Sequence, residues 1–544
     1  MKEQILNNIK INLKSGITVS LISIPLSVSL AVASDATPLI GIITAIWAGL
    51  IASLFGGSNF NIVGPTGALS GIIATYVILH GIGGLPVLTI LVGLFVLIAY
   101  FLRLEKYLIL IPSSVIHGFT LGVAFIIGLG QLNFALGLEG LVKHESFLSN
   151  LFESIKHIGN TSFVSLIIFF IFLLGLLLFK KFTPKMPGAI ILAPVGILLG
   201  YLSQANIIPF AVQTLGGKFG DINFSFFLKP HFEFSFYMLE TAAVIALIAI
   251  LETMLSAKIA DGMTKTKYNE RKEMLGLGLA NIVSGIVGGM PATAALARTS
   301  LNIKTGANHK TSGVISVVSI ALISALLLGY FKYIPLAVIA AILVVVAMGM
   351  IEREHYEKLW KYEKNGFYIS LFVAFITVIV DPIYGILLGV SVALLIFINR
   401  ISHGHFELRV NKFQEGIIDS DSGTKLKEIE EDADVLLYSF RGKLCYINSR
   451  AHLKRFEENL VKYKVIILRF REVYFIDTDG VEALDEIIDI IEGRGQKVIL
   501  TGVDQNAVDL LEQLSVGYKR LRFKGLVFEK AEQALKSLGI PTRK

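Results

Sequence analysis

Over its first 400 residues the chain reads as long apolar runs broken by short polar stretches. A helix needs roughly 20 apolar residues to cross a bilayer, and fewer where a span is built from half-helices. On that measure the runs predict spans at 17–33, 39–56, 65–80, 85–102, 112–130, 162–180 and 187–203, then at 237–257, 273–289, 292–303, 312–329, 335–350, 367–380 and 383–399. That is seven plus seven. After residue 434 the pattern changes. Val435–Phe440, Val465–Phe470 and Lys497–Thr501 read as strands, with helical periodicity at 449–462, 480–492 and 504–514, which predicts a small α/β domain with a largely parallel sheet. Residues 401–433, including the charged run 425–434, read as a linker.

Two interrupted segments repeat one another. Gly64-Pro65-Thr66-Gly67-Ala68-Leu69-Ser70 opens the third span, and Met290-Pro291-Ala292-Thr293-Ala294-Ala295-Leu296, followed by Ala297-Arg298-Thr299, opens the tenth. A glycine pair precedes each (Gly56-Gly57 and Gly288-Gly289). Proline suits the first turn of a helix and cannot extend one from behind. Each segment therefore predicts irregular chain turning into a helix start at membrane depth. An odd-numbered repeat inverts its second copy, so the two helix N-termini would face each other. Their unpaired N–H groups and partial positive charge favour an anion, and paired interruptions of this kind mark transporter binding sites.

Charge supports the span count. With 49 Lys and Arg against 42 Asp and Glu, the net charge is +7. Walking outward from a cytoplasmic N-terminus, the inside loops receive Arg103, Lys106, Lys180, Lys181, Lys185, Lys258, Lys265, Lys267, Arg271, Lys272, Lys304, Lys310, Arg353, Lys358, Lys361 and Lys364. The outside loops are thinner in positive charge, with Lys143, Lys156, Lys218 and Lys229 as main members. An even number of spans keeps Arg400 and the tail inside. The excess of basic residues thus belongs to cytoplasmic loops, and nucleic acid is not an expected partner. Met1–Lys14 has no cleavage pattern and carries Lys2, Lys10 and Lys14, the expectation for a retained cytoplasmic end. The composition is 54% hydrophobic and 17% charged, with mean hydropathy +0.69, which excludes an ordinary soluble protein of this length. A lone cysteine, Cys445, excludes an intrachain disulfide.

Ionisable residues inside spans are functional candidates. Glu252, in the eighth span, can load and release a proton, ligate sodium, or serve as a capped structural carboxylate. Arg298, two turns into the tenth span, either places positive charge beside the anion or reaches to the membrane surface. His117 reads first as a donor between helices. Asp35 and Asp381 sit at span ends as caps or loop residues, and His403 and His405 lie on the linker as a solvated pair. Gly71, Gly93, Gly122 and Gly128 read as helix-packing glycines. Gly67 differs, because bulk in the first turn after Pro65 would obstruct a ligand. No phosphate loop, metal-spaced cluster or nucleophile elbow is present, so neither an enzyme nor a cofactor or metal is expected.

The chain resembles the SulP family of anion transporters with a C-terminal STAS domain. The resemblance rests on Gly16–Pro25, Val63-Gly64-Pro65-Thr66, Ser114–Phe119, and above all Leu251-Glu252 through Ala260–Thr264, Asn281–Gly285, Gly288–Thr299 and Asn302. It implies a seven-plus-seven inverted repeat with core and gate domains, usually dimeric. By position it implies that Pro25 and Leu26 of the first span, Thr66, Gly67 and Ala68 of the third, and Leu296, Ala297 and Arg298 of the tenth surround the anion, with Glu252 linked to proton coupling. Sodium-coupled bicarbonate members are expected to carry aspartate at the position of Glu252 and threonine at that of Leu296. An aliphatic side chain cannot ligate sodium, so protons are the expected coupling ion. In the tail, Asp477 of Phe475–Gly480 stands where related regulatory domains carry a phosphorylatable serine, and reads as a fixed negative charge at a helix start; Thr478 remains a speculative alternative for modification.

The expectation is therefore a homodimer in the cell membrane, both ends cytoplasmic, that moves a small oxyanion (sulfate, bicarbonate or a C4-dicarboxylate) by proton symport. The alternatives are an anion exchanger or channel-like path without protons, a nucleobase permease on the same fold, disfavoured by the tail and Arg298, and a membrane receptor or scaffold signalling through the tail. The expected boundaries are 1–400 for the membrane domain (repeats at about 14–203 and 237–400), 401–433 for the linker and 434–540 for the tail.

Overall fold

The structure is a computed structural model that describes residues 2–106, 112–142, 144, 146–182, 188–228, 234–380, 382–412, 416–423, 434–458 and 463–540. Lys143, Lys185, Lys229, Asp381 and most of the charged run 425–434 lie outside these. The chain forms two units, 1–391 and 392–544.

Each of the fourteen predicted spans coincides with a helix: α1 (Lys2–Ala33), α2 (Pro38–Phe55), α3 (Gly67–His80), α4 (Leu85–Phe101), α5 (Ser113–Leu129), α6 (Phe163–Phe182), α7 (Gly188–Gln204), α8 (Tyr237–Thr264), α9 (Glu270–Ile286), α10 (Leu296–Lys304), α11 (Thr311–Leu327), α12 (Leu336–Met350), α13 (Lys364–Ile379) and α14 (Pro382–Ser402). Among the described residues, eight helices are long and apolar enough to cross a membrane, and four more are shorter apolar helices. Helices α9, with four charged residues in its first turn, and α10, with nine residues, complete the set.

The packing has an internal two-fold. Helix α1 packs on α11 as α8 packs on α4, α4 on α9 as α2 on α11, α5 on α13 as α6 on α12, and α1 on α10 as α3 on α8. Exchanging each helix with the one seven places on maps these pairs onto one another. The same contacts sort the helices into two sets. Helices α1–α4 and α8–α11 pack mainly among themselves, as do α5–α7 with α12 and α13, and the sets meet where α3 lies on α5 and where α1 lies on α7 and α12. Small residues allow the close crossings, as expected where lipid supplies no hydrophobic drive. A Cβ on Gly93 would lie 2.7 Å from the Gly278 carbonyl, and one on Gly122 2.6 Å from Thr377 Cβ.

At membrane depth two short strands, β1 (Val63–Gly64) and β2 (Thr293–Ala294), pair antiparallel, Val63 opposite Ala294 and Gly64 opposite Thr293. This corrects the expected helix starts. Pro65 and Pro291 do not occupy first turns: Pro65 directly follows β1 and Thr66 stays extended as the N-cap, Pro291 precedes β2, and α3 and α10 begin only at Gly67 and Leu296. Arg298, expected two turns in, therefore sits in the first turn of α10.

The tail is a six-stranded sheet in the order β4-β3-β5-β6-β7-β8. Its strands are β3 (His405–Lys412), β4 (Gly416–Gly423), β5 (Val435–Leu444), β6 (Val465–Ile476), β7 (Lys497–Thr501) and β8 (Val527–Phe528). Strands β5 to β8 are parallel, and β3 runs antiparallel to both β4 and β5. Residues 405–412 and 416–423, expected as linker, are thus sheet: Phe406 and Leu408 alternate inward beside Tyr438 and Phe440 and are buried with them. Helices α15 (Ser449–Glu458) and α16 (Thr478–Gly493) match the sequence reading closely. Asp477 caps α16, accepting from the Gly480 amide at 2.9 Å. His403 and His405 are exposed.

A buried polar cluster in the tail sets a pH dependence. His452 of α15 accepts at Nδ1 from Tyr438 Oη at 2.7 Å and lies 3.1 Å from Arg455 Nη1; Arg455 also donates to the carbonyls of His403 and Gly404 and stacks on Phe406. Burial first, then the positive charge of Arg455 and the nearby His405, push the His452 pKa down to about 3. The unfolded chain, with an ordinary histidine near 6.5, binds the proton more readily, so stability is fully present above that pH and is lost as pH falls towards 3. Tail stability should fall from pH 6.5 to 5 with a slope approaching about 1.4 kcal/mol per unit, read by hydrogen exchange in β5. His452→Gln should flatten the slope, and an unchanged slope would remove His452 as its source.

Candidate functional site

The site grows out of the two-residue ladder. Because β1 and β2 run antiparallel and each passes directly into a helix, α3 and α10 start side by side and point apart. Thr66, extended at φ −131° and ψ 155°, is the N-cap of α3, and Ala295, at φ −98° and ψ 121°, that of α10. Neither helix has a side-chain cap. Threonine commonly caps a helix through its own hydroxyl. Here the Thr66 hydroxyl turns away and donates to Glu252 Oε2 at 3.1 Å. The first-turn amides of both helices thus remain directed at the space between them.

Side chains hold this irregular backbone, as they must where lipid offers no hydrogen bonds. On the β1 side, Glu273 accepts from the amides of Gly57 and Ser58 and from Asn61 Nδ2, each at 2.7 Å. Asn302 Nδ2 donates to the Phe60 carbonyl at 3.0 Å, and the Ile62 amide donates to Thr299 Oγ1 at 3.2 Å. On the β2 side, Asn281 acts like a strand edge, donating to the Ala292 carbonyl at 3.0 Å and accepting from its amide at 2.8 Å. Ser284 donates to the Met290 carbonyl, and the Met290 amide donates to Thr44 of α2. Thr253 of α8 accepts from the Ala294 amide at 3.1 Å and lies 2.7 Å from Thr293 Oγ1. Docking Thr253 on β2 places its neighbour Glu252 at the end of β1.

Arg298 is 2% exposed. Its guanidinium donates to the Pro65 carbonyl, so α10 of the second repeat grips the chain that starts α3 of the first. It does not reach the membrane surface. A side chain at 64 would press on this guanidinium: a Cβ there would stand 2.7 Å from Arg298 Nη1. In α1, which packs on α3 and α10, Pro25 lies mid-helix and removes the amide that would bond the Leu21 carbonyl.

The structure joins Thr66 to Glu252 and Arg298 to Pro65, Gly67 and Ala68 lie in the first turn of α3 and Leu296 and Ala297 in that of α10, and Pro25 and Leu26 belong to α1, which packs on α3 and α10. Leu26, Glu252 and Leu296 are half-buried and Ala297 is exposed, whereas Pro25, Thr66, Gly67 and Ala68 are buried. None of the nine lines the large cavity of about 750 Å³ between the ends of α1, α3, α5 and α7, which is bordered by Asp35, Gly71, Thr75, Ile127, Gln213 and Lys218 among others. Gly67 has an unexpected neighbour: a Cβ there would lie 2.8 Å from Met350 Sδ and 3.1 Å from Ile127 Cδ1. Its first constraint is α12 and α5. His117 lies at the other end of α5, stacked on His355 with ring centres 3.6 Å apart and Nδ1 3.6 Å from Glu352, away from the junction. Asp35 adopts a left-handed φ of 55° and pairs with Lys218 at 3.9 Å.

The sequence reading missed Glu273, Asn61, Thr253 and Thr299. Glu273 opens the predicted span 273–289, and with Leu277, Ala280 and Ser284 it falls on one buried helical face. That spacing was the available signal. The Arg298 grip is testable: Gly64→Ala should lower stability by about 1–3 kcal/mol through the forced shift of a buried guanidinium, seen as a lower melting temperature of the purified protein. An unchanged melt would mean that the guanidinium is free to move.

Comparison with known proteins gives the same picture. Residues 9–373 match the sulfate permease family and residues 427–522 the STAS domain. The putative sulfate transporter YvdB of Bacillus subtilis is 31% identical over 520 residues, covering 93% of this chain and 94% of that protein. The bicarbonate transporter BicA of a Picosynechococcus species is 27% identical over 539 residues, covering 94% and 92%. The fold is that of the solved murine Slc26a9 anion transporter in its inward-facing state, with TM-score 0.82 and 17% identity over 97% of this chain and 91% of that one. The chain belongs to the sulfate permease family of membrane transporters and carries a C-terminal STAS domain.

Proposed function

We propose that this protein is a proton-coupled symporter of a small oxyanion, with sulfate, bicarbonate or a C4-dicarboxylate as the substrate class. The observation that carries the reading is the Thr66–Glu252 hydrogen bond at the mouth of two uncapped helix starts. Pro25 and Leu26 of α1, Thr66, Gly67 and Ala68 of α3, and Leu296, Ala297 and Arg298 of α10 bound the anion's space. Backbone amides and the α3 and α10 dipoles supply its attraction, and Arg298 adds fixed positive charge behind them. An ionised Glu252 beside that space repels an anion, and a protonated one does not. Anion and proton therefore favour each other's binding, a coupling that is reciprocal by thermodynamic necessity.

Leu296 opens α10 with an aliphatic side chain and offers no oxygen to a hard cation, which favours protons over sodium. The similarity to proteins named for sulfate and for bicarbonate supports the substrate class. The basic residues at alternate loops support both ends being cytoplasmic, and a homodimer in the lipid bilayer is the proposed working form. Transport would proceed by moving α1–α4 with α8–α11 against α5–α7 with α12–α14 around the junction.

Uptake of labelled sulfate, bicarbonate and succinate into liposomes, with and without an inward proton gradient, tests this reading. Gradient-stimulated uptake of one of them is expected. Glu252→Gln should remove that stimulation, about tenfold, while leaving anion affinity within about threefold. No stimulation of any anion, or lost affinity with stimulation preserved, would overturn it.

A further inference from the structure

We infer that one water molecule resides behind the ladder, held between Arg298 of α10, Ser23 of α1 and Ser316 of α11, and that the two serines act through it as positioning residues for the guanidinium. The site itself stands apart from the symport reading; only its effect on anion affinity rests on that reading.

The inference begins with three polar groups. Arg298 reaches the Pro65 carbonyl with Nη2, but Nη1 has no hydrogen-bond partner among the described residues, although the side chain is 2% exposed. A buried charged N–H left unbonded is heavily penalised, the more so where lipid surrounds the bundle. The hydroxyls of Ser23 and Ser316, 0% and 1% exposed, are likewise without partners among the described residues. A helical serine can usually turn back onto a carbonyl of the preceding turn. Ser20 and Ser34 of the same helix do so, bonding the Ile17 and Leu30 carbonyls at 2.7 and 2.9 Å. Ser23 does not.

All three residues line one small cavity of about 10 Å³, with Gly49 of α2 and Val63 of β1 also in its wall. Nη1 lies at this wall. The Cβ position of Gly64 is 2.7 Å from Nη1 and 3.6 Å from Ala45 Cα, and Ala45 borders the cavity. The enclosure is tight, since a Cβ on Gly49 would stand 2.9 Å from Val317 Cγ2 and 3.2 Å from the Val63 carbonyl oxygen. Such a volume is about what one water needs. Two waters do not fit, and a chloride ion is larger.

The chemistry matches as well as the size. A water accepts from Nη1 and donates one hydrogen to each serine oxygen, which makes the three bonds usual for a buried water. Bridges of this kind are nearly as favourable as direct hydrogen bonds. The guanidinium is then held on two sides, by the Pro65 carbonyl that leads into α3 and by α1 and α11 through the water. Its positive charge keeps a fixed place behind the helix starts.

The test compares melting temperatures of the purified full chain. Ser29 of α1 is the control, because it is buried and without a partner among the described residues but does not border the cavity. Removing an unbonded buried hydroxyl relieves a penalty, so Ser29→Ala should melt at or above the wild-type temperature. Ser23→Ala and Ser316→Ala should each melt lower, by about 1–2 °C. The double variant should fall by clearly less than the sum, because the same water is lost only once. Single variants that behave like Ser29→Ala, or falls that simply add, would overturn the water. So would a melt that depends on chloride against gluconate in the wild type and not in the double variant, which would put a halide in the cavity. In liposomes the double variant should raise the KM of the transported anion about threefold with the maximal rate kept. An unchanged KM would overturn the positioning role. If no anion is moved by the wild type, the transport reading fails while the melts still decide the water.

Discussion

Four residues, Val63 and Gly64 paired with Thr293 and Ala294, carry the constraint on which the transport unit depends. A strand pair this short has no stability of its own in water, and in a bilayer each unpaired backbone group around it would cost several kcal/mol. It persists because the surrounding helices take over the accounting. Glu273 and Asn302 satisfy the approach to β1, and Asn281, Ser284, Thr44 and Thr253 that to β2. The clamps come from α9 and α10 on one side and from α9, α2 and α8 on the other. The ladder is therefore also what ties the two repeats together.

The antiparallel sense of that ladder has an electrostatic consequence. Two chains leaving an antiparallel pair into helices direct their amide ends to a common space, so positive potential gathers there without a single cation being required. The actual cation, Arg298, is spent differently. Its guanidinium grips the Pro65 carbonyl from behind the ladder, where it both fixes the start of α3 and contributes charge at second remove. Thr66 follows the same logic: by bonding Glu252 instead of its own helix, it leaves the amides unclaimed and ties that carboxylate to the start of α3. A residue that gives up its ordinary capping role is a sign of a site rather than of a scaffold.

The fourteen helices were readable because apolar length reports directly on the solvent a segment must occupy, and the tail because its central strands are short continuous apolar runs, as a parallel sheet buried on both faces requires. The errors have one origin. Pattern reports burial and not the neighbour that does the burying. Pro65 and Pro291 predict helix starts locally, and only a partner strand more than 200 residues away makes extended chain of the residues beside them. Residues 405–412 lie beside a charged run and read as linker, yet Phe406 and Leu408 alternate into the core once β5 is alongside. Glu273, at the start of the predicted span 273–289, drew no notice because its three donors lie on a loop before the third span. Glu252, Thr66 and Gly67 were legible as candidates because charge, a cap residue and a glycine are each conspicuous in apolar sequence; Met350, one apolar residue among many, was not.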